Sequence, residues 1–218
     1  LSMPKPIQSS TYTFRDLIEG NFLYIDKTRY LYELVRYSKG SYFLARPRRF
    51  GKSLMISTLE EIFKGNRPIF QGLAIDSSDY TWEPHPVMHI DFSRIQVKSA
   101  EELKEGIQRH LQLIADEYGL TLAEGPFDYQ LDTLILQLSR QRQVVILIDE
   151  YDKPILDNIT DISNAIEIRN ILKVFYTIIK ALDAHIRFVF ITGISRFSRV
   201  GVFSSMNNLD DLTMDPAF

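Results

Sequence analysis

Val144-Val145-Ile146-Leu147-Ile148-Asp149-Glu150 is an unbroken aliphatic run closed by two carboxylates. Successive side chains of a strand point to opposite faces, so a run apolar at every position implies cover on both, as in a parallel sheet. Ile186–Ile191 is almost as apolar. Tyr42–Ala45 and Val87–Phe92 are two further strand candidates, the latter entered through Pro84 and Pro86.

Helical periodicity fills the spaces between these runs. Lys52–Lys64 carries Met55, Leu59, Ile62 and Phe63 as an apolar stripe and stops at Gly65. Ala100–Tyr118 and Asp128–Arg140 follow the second strand, and Asn164–Leu182 places Ile168, Leu172, Phe175, Ile179 and Leu182 on one face. Ahead of the first strand the chain reads as a short helix near Phe14–Ile18 and an extended piece at Phe22–Ile25. A helix capped by Asp26 then carries Leu31, Leu34 and Val35 inward and ends at Gly40. Strands alternating with helices predict a three-layer α/β/α domain around a mostly parallel sheet. No repeat or linker divides the chain, so residues 1–218 read as one domain, with 1–40 as an N-terminal extension packed on it.

Composition narrows the function classes. With 45% hydrophobic and 24% charged residues the chain is not intrinsically disordered. It has no cysteine, which excludes disulfides and thiolate metal sites. A formal charge of −3 gives no global electrostatic case for nucleic acid, so direct nucleic-acid binding stays an open, weaker reading. No apolar run approaches the roughly 18 residues that span a bilayer. Leu1–Ser10 holds two prolines and no long apolar core, unlike a signal peptide. The expected setting is the cytoplasm, without a membrane.

Ligands of such sheets bind at the carboxyl ends of the strands, so the residues there carry the functional reading. After Tyr42–Ala45 comes Arg46-Pro47-Arg48-Arg49-Phe50-Gly51-Lys52-Ser53 and then a helix. A helix start offers unpaired N–H groups and the positive end of a dipole, both suited to phosphate. Gly51 lets the backbone curl closely, Lys52 supplies a point charge for outer phosphates, and the Ser53 hydroxyl suits Mg²⁺. Arg46 occupies the position where the pattern G-x-x-x-x-G-K-[ST] begins with glycine. It alters the loop's entrance while leaving the donors from Arg49 to Ser53 in place. Arg48 and Arg49 read equally well as nucleotide contacts and as solvated charge.

Asp149 and Glu150 sit together at the end of a buried strand, which is costly unless a cation is near. A Mg²⁺ ion shared by Ser53 and Asp149 meets that need and leaves Glu150 to activate water. Glycine usually follows the metal aspartate by three residues in GTPases; here that residue is Asp152. No Asn-Lys-x-Asp element is present either, so ATP is favoured over GTP. The adjacent acid pair marks the branch with a catalytic glutamate and an added strand between the loop strand and the acidic strand. Ile186–Ile191 is the natural occupant of that middle place.

At its end stand Thr192-Gly193-Ile194-Ser195-Arg196-Phe197-Ser198-Arg199. In that order Thr192 emerges beside the terminal phosphate, as a phosphate-sensing hydroxyl or simply a satisfied strand end. Arg196 reads as a stabiliser of transferred charge, in cis or across an interface, or as a surface ion pair alongside Arg199. Asp91, after the second strand, reads as a cap for the next turn. His85, His89, His110 and His185 are scattered, and four residues of strand separate the first two by roughly 13 Å, too far for one ion. Trp82 and the eleven tyrosines read as core and its edges.

Taken together these segments resemble the predicted AAA-ATPase-like domains of bacteria and archaea, often joined to a nuclease-like domain of the PD-(D/E)-x-K superfamily. The resemblance is carried by Asn21–Thr28, Ala45–Leu54, Phe70–Ile75, Pro86–Phe92, Ile148–Pro154 and Ile191–Ser198, in that order. In that family arginine at the first loop position is usual. The resemblance implies a P-loop NTPase fold of the additional-strand, catalytic-glutamate type, with ATP and Mg²⁺ as ligands. The nucleotide set is then Arg48, Arg49, Phe50, Gly51, Lys52, Ser53 and Leu54, with Ser53 and Asp149 at the metal and Glu150, Lys52, Thr192 and Arg196 in catalysis. The expected activity is Mg-dependent ATP hydrolysis coupled to conformational change. The alternative is a nucleotide-dependent switch with negligible turnover that controls a downstream nuclease-like domain. Homo-oligomerisation is a further expectation. Because the chain ends at Asp215-Pro216-Ala217-Phe218, it reads as a fragment lacking the fifth strand, the helical lid and any nuclease-like domain.

Overall fold

A computed structural model describes residues 3–7, 13–47, 51–194 and 209–218. Five parallel strands form one sheet: β1 (Gly40–Ala45), β2 (Val87–Asp91), β3 (Val144–Asp149), β4 (Ile186–Gly193) and β5 (Asp210–Asp211), in the order β2-β3-β4-β1-β5. β4 therefore lies between β1, the strand before Gly51-Lys52-Ser53, and the acidic strand β3, as the sequence predicts. The chain is a P-loop-type three-layer α/β/α domain.

Period-two alternation along the central strands feeds two separate cores. Met88, Ile90, Ile146, Ile148, Val189 and Ile191 face one side. There they meet α4 (Ala100–Glu117), α5 (Phe127–Leu138) and α7 (Ile162–Ala181). Leu44, Val87, Val145, Leu147, Phe188 and Phe190 face the other, against α1 (Phe14–Glu19), α2 (Thr28–Val35) and α3 (Lys52–Phe63). Each fully buried aliphatic or aromatic side chain contributes about 1.5–3 kcal/mol, which is why the unbroken apolar runs become the middle of the sheet. All six residues of β3 are buried, its terminal carboxylate included.

The predicted inward positions are largely met. Leu31, Leu34 and Val35 are buried, as are Ile168, Leu172, Phe175 and Ile179. Leu182 packs at the rim of its core. On α3 Leu59, Ile62 and Phe63 are buried, and in the first turns the inward aliphatic residue is Ile56, with its neighbour Met55 only half-buried. Asp26 accepts the Thr28 N–H at 2.8 Å and the Thr28 hydroxyl at 2.6 Å, and its second oxygen takes the Ala74 N–H at 2.8 Å. The N-cap position of α2 is Lys27, without a side-chain bond, so Asp26 acts from one residue earlier: it holds the first N–H of the helix and ties it to the short turn at Ala74–Ser77.

Two expectations need correction. Gly40 does not end α2, which stops at Val35; it is the first residue of β1. A fifth strand is present: Tyr42 and Phe43 pair with Asp210 and Asp211. An acidic pair without an apolar run gives no strand signal, and its extended backbone is held by the edge of β1. Trp82, buried between Phe70 and Tyr80, belongs to the core as expected.

Candidate active site at the carboxyl ends of three strands

Three neighbouring strand ends build the site. Ala45 pairs with Gly193 across β1 and β4, and Ile148 pairs with Ile191 across β3 and β4. Gly51 follows the loop with φ 78°, a left-handed conformation that favours glycine, and α3 starts at Lys52. The Lys52 side chain is buried and donates to the Arg46 carbonyl at 2.7 Å and the Gly193 carbonyl at 3.0 Å. A buried ammonium needs such partners, and here they hold it between Arg46 and the end of β4. Ser53, one residue on, is exposed and donates its hydroxyl to Asp149 Oδ2 at 2.7 Å. A hydroxyl and a carboxylate brought together this way form a hard-oxygen pair suited to Mg²⁺. The residues present thus fit that ion.

Thr192 ties the acidic edge to the middle strand. Its hydroxyl donates to Asp149 Oδ1 at 2.5 Å and accepts the Glu150 N–H at 3.1 Å, while its carbonyl accepts the Tyr151 N–H at 3.0 Å. Glu150 has φ 51°, rare for a residue with a side chain, and these two main-chain bonds hold the turn. Asp152, fully buried, receives the Ile194 N–H on both carboxylate oxygens, at 3.1 and 3.0 Å. A Cβ at Gly193 would come within 2.4 Å of the Tyr151 ring, so only glycine lets that ring lie against β4.

A second polar group lies farther along α3 and β2. Glu60 meets Lys64 at 2.9 Å and His89 at 3.6 Å, and Lys64 also reaches Glu117 at 3.0 Å. Burial alone would raise the Glu60 carboxyl, but the His89 ring and the Lys64 ammonium outweigh it and hold it at about 2. Burial would likewise lower His89, yet its bond to Glu60, helped by the charges of Asp91 and Asp149, raises it. Asp91 accepts the Ser93 N–H at 2.9 Å and so caps the turn after β2.

The family of predicted AAA-ATPases matches residues 8–203. The chain belongs to that family. Membership carries a nucleotide-binding, ATPase-like role, which the strand order and the loop before α3 suit. A relative from Azotobacter chroococcum mcd 1, described as an uncharacterized protein in the vnfD 5′ region, is 41% identical over 210 residues. The match covers 94% of this chain and 40% of the relative, so the chain spans well under half of that protein. A Drosophila ORC structure, bound to poly(dA/dT) DNA and Cdc6, aligns with TM-score 0.43 and 12% identity, over 91% of this chain and 28% of the other.

Of the residues singled out in the sequence of this predicted AAA-ATPase, Gly51, Lys52, Ser53, Asp149, Glu150 and Thr192 converge at one edge. Leu54 is half-buried and packs at the rim of the α3-side core. Arg48, Arg49, Phe50, Arg196 and Arg199 lie outside the described residues. Asp152 and Gly193 were not singled out for this place. Their signal was present as a third acid after the strand and as a glycine directly behind a strand-end threonine, but neither matches a phosphate-site pattern. No helix among the described residues is long and apolar enough to cross a membrane.

Proposed function

We propose that this chain binds ATP at the turn before α3, hydrolyses it with Mg²⁺, and couples the cycle to a change in conformation. The observation that carries this reading is the contact of Ser53 with Asp149 at 2.7 Å, beside a lysine poised over the loop. Gly51 and the first N–H groups of α3 cradle phosphate, and Lys52 neutralises its outer oxygens. Ser53 and Asp149 would hold Mg²⁺, whose bound charge offsets the charge of the phosphates. Glu150 accepts the proton of the attacking water at its carboxylate. Thr192 orients Asp149 and senses the terminal phosphate. Arg48, Arg49 and Phe50 flank the phosphates, and Arg196 acts on charge developing during transfer. The absence of a guanine-reading element supports ATP as the nucleotide.

The test is phosphate release by the full-length protein, wild type against Glu150→Gln. Loss of turnover with ATP binding retained supports Glu150 as the base; equal rates remove it from that role. If the wild type binds ATP but releases no phosphate above background, the chain works as a switch without turnover. If calorimetry detects no binding of any purine triphosphate in the presence of Mg²⁺, the reading fails.

A further inference from the structure

Arg46 faces two ways. Its main-chain carbonyl accepts the Lys52 ammonium at 2.7 Å, and its N–H donates to the Gly193 carbonyl at 3.0 Å, so its backbone is part of the loop mouth. Its guanidinium leaves that mouth. It donates to the carbonyls of Thr213 and of Asp215, the latter at 3.4 Å, in the turn that follows β5, and to that of Ala45 at 3.2 Å. The same turn is fastened to β1 by the Ala45 N–H on the Thr213 hydroxyl at 3.0 Å and by the Leu212 N–H on the Phe43 carbonyl at 2.8 Å. One residue thus joins the lysine over the phosphate turn to a segment 167 positions away in sequence.

The chemistry makes this joint responsive. A phosphate oxygen adds full charge–charge attraction that a neutral carbonyl lacks, so phosphate draws Lys52 from Arg46. The carbonyl then loses that donor, which releases the peptide into Pro47 to turn. Pro47 fixes its own φ near −65°, so the adjustment falls on Arg46, whose guanidinium grips the turn beyond β5. A guanidinium holds the Ala45, Thr213 and Asp215 carbonyls through a planar, fixed fork of donors, a geometry that the compact ammonium of a lysine does not reproduce.

We propose that Arg46 is a positioning residue that transmits occupancy of the phosphate turn to the Leu212–Phe218 segment. The inference rests on the reading that this turn binds nucleotide. The experiment is hydrogen–deuterium exchange of the full-length protein with and without a non-hydrolysable ATP analogue and Mg²⁺, with binding followed by calorimetry. In the wild type, exchange at Leu212, Thr213, Asp215 and Phe218 shifts by about fivefold or more on saturation. Arg46→Met still binds the analogue but loses the shift, and Arg46→Lys, which keeps the charge and the long stem, keeps only part of it. A merely structural role would raise exchange with and without nucleotide alike and leave the difference intact, and that result overturns the proposal. So does loss of binding in folded Arg46→Met matching that of Lys52→Ala, which would place Arg46 in the anion site itself. If the wild type binds the analogue with no change in this segment, the coupling alone fails; if it binds no nucleotide, the functional reading fails first.

Discussion

Thr192 Oγ1 donates to Asp149 Oδ1 at 2.5 Å, joining the end of the middle strand to the end of the acidic one. The same hydroxyl accepts the Glu150 N–H, so one side chain holds both a carboxylate and the backbone of its neighbour. The other Asp149 oxygen is turned to Ser53, which assigns each oxygen a direction.

Replacing Thr192 by valine keeps the shape and removes the hydroxyl. The buried Asp149 carboxylate loses this donor and the half-buried Glu150 N–H loses this acceptor, at a cost of about 1–3 kcal/mol in unfolding free energy. Urea denaturation should show that loss for Thr192→Val and little of it for Thr192→Ser. Phosphate release should fall in the valine variant by more than nucleotide affinity does.

Gly193→Ala puts a methyl group against the Tyr151 ring. The expected destabilisation is about 1–3 kcal/mol, as for other overpacked cores. Tyr151→Ala opens that space, so the double variant should lose less than the sum of the two single losses. Strict additivity in thermal unfolding would show that the ring is not the obstacle.

Ser53 and Asp149 belong to the proposed cation site. Adding EDTA should abolish phosphate release in the wild type. Ser53→Ala should raise the Mg²⁺ concentration for half-maximal turnover by roughly tenfold. An unchanged Mg²⁺ dependence would remove Ser53 from the site.

The Glu60–His89 pair makes stability depend on pH. Glu60 is held near 2 against an ordinary 4.5, so its contribution is present above pH 4.5 and lost as pH falls toward 2. His89 is raised above its ordinary 6.5, so its contribution is present below pH 6.5 and lost as pH rises through the folded value. Glu60→Gln should therefore destabilise most between these limits, by roughly 1–3 kcal/mol, and almost not at all at pH 2. Chemical denaturation across pH 2–9 checks this; a constant penalty over that range contradicts it.

How far the sequence reads depends on how local each signal is. The run Val144–Ile148 announces a doubly covered strand because every position must find apolar cover. Gly51-Lys52-Ser53 between an apolar run and an amphipathic helix announces a strand–turn–helix junction for the same reason of adjacency. β5 left no such trace. Asp210 and Asp211 are extended because β1 offers its free edge, and that edge exists only once the sheet has formed. Asp152 was equally opaque: its burial and its bond to Ile194 require the chain to turn at Glu150 and meet β4.

Residue type and spacing alone therefore determined the layers, the parallel sheet and the residues at its carboxyl edge, since burial and helix-start chemistry act within a few residues. Only the tertiary structure decided which strand ends are neighbours. Ser53 and Asp149 are 96 positions apart, and Arg46 and Thr213 are 167 apart. Hydrogen bonds form only near 3 Å, so these meetings wait on the strand register, and the register is set by packing both faces of the sheet at once.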